Sequence, residues 1–494
     1  MVDPESRKRT GVSKISIHSC QGWSLQSLLS ESKNFHPVPR VSWSPTVSTE
    51  DQIRQHEAAN PAGVPLVVEG LHQHPKWMHD KFSATWFEEN GPPEITVRNV
   101  HDRVDRTVEL SDFMARAREA SAFTTRGETE RLYGKDVPCP SQYNDFLHAG
   151  EVIPSYLAPD SPENLLNALP PEERAETLMC YIGIGDTFTP CHKDLCASSG
   201  HNLMCYTANG GSSFWFMTET SSAHAAAEYF SKKLGYELDH ENHVVTVKEL
   251  ARAPFKVYIT EQKLGDLVLV PPRSCHQVVN AGGITLKTSW SRMTLDGLSL
   301  ALRYELPLYR RVCRSEIYRV KSTIHNALLQ TTQRVSNLLG KQAKDVPGAR
   351  SATASSSQED MSTLLVKLRR LIDLFDSILV EEYSRTAQKM LIVQVSADED
   401  EPQFTCDFCG GDIFQSFFEC RSCVDGEIAD YGSGFVICPG CYVEGRTCRC
   451  EVMAPMQRRP FEELLKARGR AVDFFNACSE LQHRPDGPCI PSEE

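Results

Sequence analysis

His192, Asp194 and His276 are the residues that most restrict what this chain can become. Two imidazoles and one carboxylate can occupy one face of an octahedral iron(II), leaving the other half of its coordination sphere open for a co-substrate and O₂. Residues two apart on a β-strand point to the same side, so His192 and Asp194 fit one strand gripping one ion. The third ligand must then come from a neighbouring strand. Leu264 to Val270 reads as a turn feeding a buried strand, Pro271-Pro272-Arg273-Ser274 breaks it, and Cys275-His276-Gln277-Val278-Val279 resumes an apolar, β-branched run. We read this as a hairpin-like return that carries His276 beside the first strand. A lone His-x-Asp occurs by chance in many chains; joined to the downstream Gly-Asp, strand, Pro-Pro and histidine it is specific.

These residues resemble the Jumonji C (JmjC) family of iron(II)- and 2-oxoglutarate-dependent oxygenases. The resemblance runs from about Ala62, through Pro65-Leu66-Val67-Val68-Glu69-Gly70, to about Arg292. Tyr133-Gly134-Lys135-Asp136, Pro138-Cys139-Pro140 and Ile153-Pro154 are similar to the stretch that family carries before its barrel. Its specific parts are Tyr181-Ile182-Gly183 through Asp194 and Gly265-Asp266 through Asn280. The fold it implies is mixed α+β: a double-stranded β-helix, the cupin-type jelly roll, with the metal in the barrel mouth and with helical additions.

At 494 residues the length prior is about three domains. No apolar run approaches the roughly 20 residues of a membrane span, and the N-terminus lacks an apolar signal core, so a soluble, intracellular chain is expected. A net charge of −13 does not support direct nucleic-acid binding and suits a basic peptide partner better. Arg7-Lys8-Arg9 reads as a solvated tail, with nuclear import as the sharper alternative.

Residues 1–60 carry few periodic apolar positions, hold Pro37, Pro39 and Pro45, and read as a partly ordered N-terminal extension. Residues 61–300 are assigned to the oxygenase domain, with a helix inserted from about Ala223 to Leu238. Apolar positions recur at three-four spacing from Ile317 to Leu338 and from Leu364 to Ile378, which predicts a helical hairpin packed on the barrel within 301–395. A Ser-rich linker lies between its helices, near 342–362, and the acidic run Asp398–Pro402 marks another connector. Residues 456–494 read as a C-terminal helix and tail.

Eight of the 18 cysteines fall between Cys406 and Cys450 as paired knuckles: Cys406/Cys409, Cys420/Cys423, Cys438/Cys441 and Cys448/Cys450. A two-residue gap lets both thiolates of a tight turn face one ion, and eight ligands make two tetrahedral Zn(II) sites. The segment 400–455 is too short for an ordinary core, so metal binding has to contribute the folding energy. Cys406-Asp407-Phe408-Cys409 and Cys438-Pro439-Gly440-Cys441-Tyr442 resemble ZZ-type fingers. That resemblance implies a cross-brace, the first knuckle with the third on one zinc and the second with the fourth on the other, and a protein partner. The last pair departs from it, since ZZ fingers usually end in histidines. Cys191 and Cys275, each just before a candidate histidine ligand, are assigned to packing because adjacent strand residues point oppositely.

A 2-oxoglutarate site also needs a cation and hydroxyls for the distal carboxylate, because an unpaired buried carboxylate is costly. By resemblance, Thr189 and Asn202 fall at co-substrate positions, Thr288 at the Ser/Thr position near the iron, and Tyr181 at the substrate-facing tyrosine. The family's usual lysine is missing: Gly210-Gly211-Ser212-Ser213-Phe214-Trp215-Phe216 holds no basic residue. Lys287 or Arg292 could replace it. Strand parity, taken from Thr288, favours Arg292 and points Lys287 away. The resemblance thus implies Fe(II), 2-oxoglutarate, O₂ and two Zn(II) as cofactors. It implies a protein oxygenase, of lysine-demethylase type, acting on a basic histone tail or another chromatin protein in the nucleus. The alternatives are a side-chain hydroxylase and an inactive JmjC and zinc-finger scaffold.

Overall fold

The computed structural model describes residues 19–342, 361–383, 390–393, 404–420, 422–423 and 434–482. The Arg7–Arg9 cluster, most of the Ser-rich linker and the acidic run at 398–402 lie outside them. The chain forms two compact units, Met1–Asn164 with Glu176–Arg292, and Leu165–Ala175 with Met293–Glu494.

Among the described residues the first unit has fourteen strands: β1 (Phe35–Pro37), β2 (Arg40–Ser42), β3 (Leu66–Glu69), β4 (Glu94–Asn99), β5 (Asp105–Glu109), β6 (Leu132–Pro138), β7 (Met179–Gly183), β8 (Phe188–His192), β9 (Ser199–Thr207), β10 (Ser212–Met217), β11 (Val257–Gln262), β12 (Leu267–Val270), β13 (His276–Ala281) and β14 (Thr285–Arg292). They make a five-stranded sheet, β1-β11-β10-β13-β8, and a nine-stranded one, β2-β3-β12-β9-β14-β7-β6-β4-β5. This is the double-stranded β-helix. β10 and β13 are buried along their whole length, as strands covered on both faces must be.

Between the sheets lie Val67, Val268 and Val270 from one and Trp215, Met217 and Val278 from the other. The Trp215 indole N–H donates to Gln262 Oε1 (2.8 Å), and Gln262 Nε2 donates to the Asn202 carbonyl of the facing sheet (2.9 Å). The outer face of the larger sheet, with Leu203, Leu286 and Trp290, packs against residues of the helices Ala84–Asn90, Leu110–Glu119 and Ser141–His148. The inserted helix, Ala223–Tyr229 continuing as a wider turn through Leu234, covers the outer face of the smaller sheet.

Three expectations are corrected here. Residues 35–42 are not an extension: β1 pairs in parallel with β11, and β2 with β3, so the segment supplies a strand to each sheet. It was illegible because three-residue strands show no period. The return at 264–279 is not a hairpin. β12 pairs with β3 and β9 whereas β13 pairs with β10 and β8, so Pro271–Cys275 carries the chain from one sheet to the other. The stretch from Tyr133 does not precede the barrel either, since β6 lies between β7 and β4.

In the second unit the helices Val320–Gln342, Met361–Glu382 and Phe461–Gln482 pack on one another. The middle helix buries Leu364, Leu368, Leu371, Phe375 and Ile378, and also Leu365, Ile372 and Leu379, a stripe wide enough for two neighbours. Beside them β15 (Leu391–Ile392), β16 (Ser416–Cys420), β17 (Phe435–Ile437) and β18 (Ala454–Gln457) form a sheet in the order β15-β18-β16-β17. Buried Arg319 ties the parts together, donating from Nε to Asp412 Oδ1 (2.9 Å) and from Nη1 to Glu173 Oε2 (2.6 Å). The expected helical region, zinc-binding segment and C-terminal helix all fall within this one compact unit.

A chain started at residue 61 lacks β1 and β2 and bares the edges of β11 and β3. It is expected to aggregate, or to melt well below the full chain, when both are followed by thermal denaturation and size-exclusion chromatography.

Candidate active site

β8 ends at His192 and β13 begins at His276, and these two residues are direct antiparallel partners. Their rings stand 4.1 Å apart between centroids. His192 Nδ1 lies 2.9 Å from the Pro190 carbonyl oxygen and His276 Nδ1 lies 3.0 Å from that of Ser274. Each carbonyl accepts from Nδ1–H, which fixes the tautomer and leaves Nε2 with its lone pair for a metal. Burial lowers both imidazole pKa values, His276 to about 4, so both rings are neutral at neutral pH. Trp215 stacks near His276, with centroids 6.0 Å apart.

Asp194 stands just past the end of β8, in extended backbone at φ −60° and ψ 149°. The two-residue parity outlasts the hydrogen-bonded ladder, so the carboxylate still reaches the histidines, with Oδ1 3.8 Å from His276 Nε2. Gly200 on β9 makes room for it: a Cβ there would sit 2.3 Å from Asp194 Oδ2. One donor atom from each of His192, Asp194 and His276 falls within 4.8 Å of the others. Two imidazole nitrogens and a carboxylate in that space are a donor set that fits iron(II).

On β14, Lys287 and Ser289 face the same side as Tyr181 and Met179 of β7 and as Met204 and Asn202 of β9. That side is the interior. Lys287, 1 % exposed, crosses to the other sheet and donates from Nζ to Asn280 Oδ1 (2.6 Å) and Ser213 Oγ (3.0 Å). Both acceptors are neutral, and burial pushes the lysine pKa down to about 7. Asn280 is held in turn through Nδ2 by Thr187 Oγ1 (2.8 Å), where Gly183 leaves room that a Cβ 2.2 Å away would fill. A buried ammonium with only neutral acceptors is the cradle that an incoming carboxylate completes.

The expectation for Arg292 and Thr288 is corrected by this register. They do share a face, but it is the outer one. Thr288 Oγ1 meets Cys139 Sγ (3.5 Å) and the Met179 carbonyl (3.4 Å), and the Arg292 guanidinium lies 5.1 Å over the Tyr156 ring. Parity gives alternation along a strand and not its phase, and the phase was set by placing Thr288 inside. The other candidates lie as follows. Thr189 Oγ1 is 3.3 Å from the Tyr133 hydroxyl. Asn202 Oδ1 accepts from Gln262 Nε2 (3.0 Å). The Tyr181 hydroxyl donates to Asp136 Oδ1 (2.7 Å). Tyr133, Asn280, Ser213 and Asp136 were missed as site residues. No spacing rule marks a side chain that arrives from another strand.

Residues 179–291 match the family model described as "JmjC domain, hydroxylase". The chain carries a JmjC domain. It is also 28% identical over 332 residues to C-module-binding factor A of Dictyostelium discoideum, an alignment that covers 65% of this chain and 31% of the relative. The chain thus spans about a third of the length of that relative. Within the JmjC domain, His192, Asp194 and His276 would hold iron(II), with Lys287, Tyr133 and Thr189 available to the distal carboxylate of 2-oxoglutarate. Bound there, the two groups would supply O₂ activation coupled to decarboxylation of the co-substrate.

In the second unit the sulfurs of Cys406, Cys409, Cys438 and Cys441 converge, as do those of Cys420, Cys423, Cys448 and Cys450. Each set fits one Zn(II), in cross-braced order. Cys438 caps the short helix Pro439–Val443, and its Sγ accepts from the Cys441 N–H at 3.4 Å. The Cys438 N–H in turn points at Cys406 Sγ (3.3 Å), and such backbone donors favour the thiolate form that a metal needs.

Lys287→Ala is expected to weaken 2-oxoglutarate binding about ten- to a hundredfold, from a charge-assisted bond of about 1.5–3 kcal/mol, and Arg292→Ala to leave it unchanged. With its pKa near 7, Lys287 must take up a proton to bind the anion at higher pH. Wild-type affinity should therefore fall as pH rises above about 7, and Lys287→Ala should lose that slope; calorimetry in the presence of Mn(II) reads both. For the second unit, two zinc ions per chain are expected by elemental analysis, and a strong chelator should abolish its thermal transition.

Proposed function

We propose that this chain is an iron(II)- and 2-oxoglutarate-dependent protein oxygenase that demethylates methyl-lysine on a basic tail of a histone or another chromatin protein. The observation that carries the oxygenase reading is the pairing of an open-faced His192-Asp194-His276 set with buried Lys287 inside one barrel. The basic substrate is favoured by the net charge of −13 and by Asp136, an exposed carboxylate that accepts from the Tyr181 hydroxyl and also pairs with Lys135 (2.5 Å). Tyr181 and Asp136 would orient an N-methyl group toward the metal. Hydroxylation there gives a carbinolamine that releases formaldehyde. The zinc-bearing part would dock a protein partner, and a nuclear location follows from such a substrate.

Stable side-chain hydroxylation is the second reading, favoured by the "hydroxylase" in the family description. The relative's name records binding to a C-module, which keeps a binding role in view, although an intact ligand triad is not needed for scaffolding.

Incubation with iron(II), 2-oxoglutarate, O₂ and methylated histone peptides should yield succinate and peptides lighter by one CH₂, read by mass spectrometry. His192→Ala should abolish both. A product heavier by one oxygen would assign the hydroxylase instead, and no succinate from the wild type would sink both enzymatic readings.

A further inference from the structure

β8, which carries His192, is the edge strand of its sheet, with β13 on one side only. Its other edge is covered by the segment 238–245, which follows the inserted helix. The Cys191 N–H donates to the His243 carbonyl at 3.1 Å. The Lys193 ammonium pairs with Asp239 Oδ1 at 3.2 Å, and the two side chains are 2% and 0% exposed. Residues 191 and 193 thus both hold the segment, one on each side of His192. The same segment reaches the second ligand strand. Val245 N–H donates to Gln277 Oε1 (2.8 Å), and Gln277 Nε2 donates back to the Val245 carbonyl (3.0 Å). Gln277 is the residue after His276. Leu238 and Val245 are buried in the cluster that also holds Cys191 and Cys275.

We infer that segment 238–245 is a clamp for the metal centre and that Asp239 and Gln277 are its positioning residues, fixing the spacing of the strands that present His192 and His276. The chemistry explains the choice of groups. An ion pair between two fully buried side chains is held in one geometry by its surroundings, so the Lys193–Asp239 contact ties the segment to the strand end that carries His192. A side-chain amide can exchange two hydrogen bonds with one backbone residue, which fixes direction as well as distance. Removing either contact frees one side of the clamp while all three ligands remain. Groups bonded directly to metal ligands commonly govern affinity about ten- to a hundredfold; Asp239 and Gln277 act through the strand residues next to His192 and His276, which puts their effect at the lower end of that range.

The inference rests on the reading of His192, Asp194 and His276 as the metal site, and the experiment separates the two. Mn(II) is titrated into the full zinc-loaded chain and free ion is followed by electron paramagnetic resonance, because thiolate sites take this hard ion poorly. His192→Ala should lose Mn(II) binding; if it binds like wild type, the ion lies elsewhere and both readings fall. With that control satisfied, Asp239→Asn and Gln277→Met should each weaken Mn(II) binding about tenfold or more. The paired replacement of Lys193→Met with Asp239→Leu, which removes the buried charge altogether, should recover most of the loss. A purely structural role would lower the thermal midpoint and leave Mn(II) affinity at the wild-type value, and that result overturns the clamp. If Asp239→Asn does not fold, Gln277→Met decides by the same criterion.

Discussion

The direct pairing of His192 with His276 across β8 and β13 is the constraint on which the rest of the site depends. It places two imidazoles side by side without any contribution from loop conformation. Both Nδ1 atoms are committed to carbonyls of their own chain segments, Pro190 and Ser274, so the rings arrive with one tautomer and one free nitrogen each. Asp194 then needs only one further extended step beyond the strand. The cost of bringing a carboxylate so close to β9 is met by Gly200, where any side chain would collide with it.

The second constraint is the burial of Lys287. Its pKa of about 7, against an ordinary 10.5, corresponds to on the order of 5 kcal/mol against keeping it charged. Between those two values the folded protein holds fewer protons than the unfolded chain, so this group's contribution to stability improves as pH rises through that window. Below about pH 7 the full cost remains. The barrel tolerates it because Asn280 and Ser213 solvate the ammonium from the facing sheet and are themselves fixed, Asn280 through Thr187 and the space left by Gly183. An anion would relieve the remaining deficit. Lys287 would thus take the place of the lysine that the resemblance leads one to seek beside Phe214, arriving from β14 instead.

The second unit solves a different problem. A sheet of four short strands has little core of its own, yet Phe404, Ile413, Phe417 and Ile437 are buried together with Cys406, Cys409 and Cys441. The first cysteine set and these apolar side chains occupy one interior, so a metal held there and the packing would reinforce each other. Arg319, bridging Asp412 and Glu173, and Arg458, donating to the Ile413 carbonyl, join that sheet to its surroundings by buried polar contacts. Such contacts give direction to the packing that apolar burial alone leaves loose.

The sequence by itself determined the ligand chemistry. His-x-Asp with a distant histidine after a Pro-Pro break, and four cysteine pairs, are legible because each obeys a local rule: side-chain alternation in one case, the tight turn between paired thiolates in the other. Long amphipathic helices were legible for the same reason, since periodicity is a property of neighbours in the chain. What only the tertiary structure decided is everything that needs a second segment. Parity put Thr288 and Arg292 on one face, but which face was interior depended on how β14 sits between β9 and β7. Tyr133, Asn280 and Ser213 come from three other strands, and Phe35–Ser42 found strand partners more than 20 residues away in sequence. Asp239 and Gln277 meet the ligand strands only because an inserted segment folds back along an edge. The energy of a buried charge depends on all the groups around it, and the order of residues along the chain does not state which groups those will be.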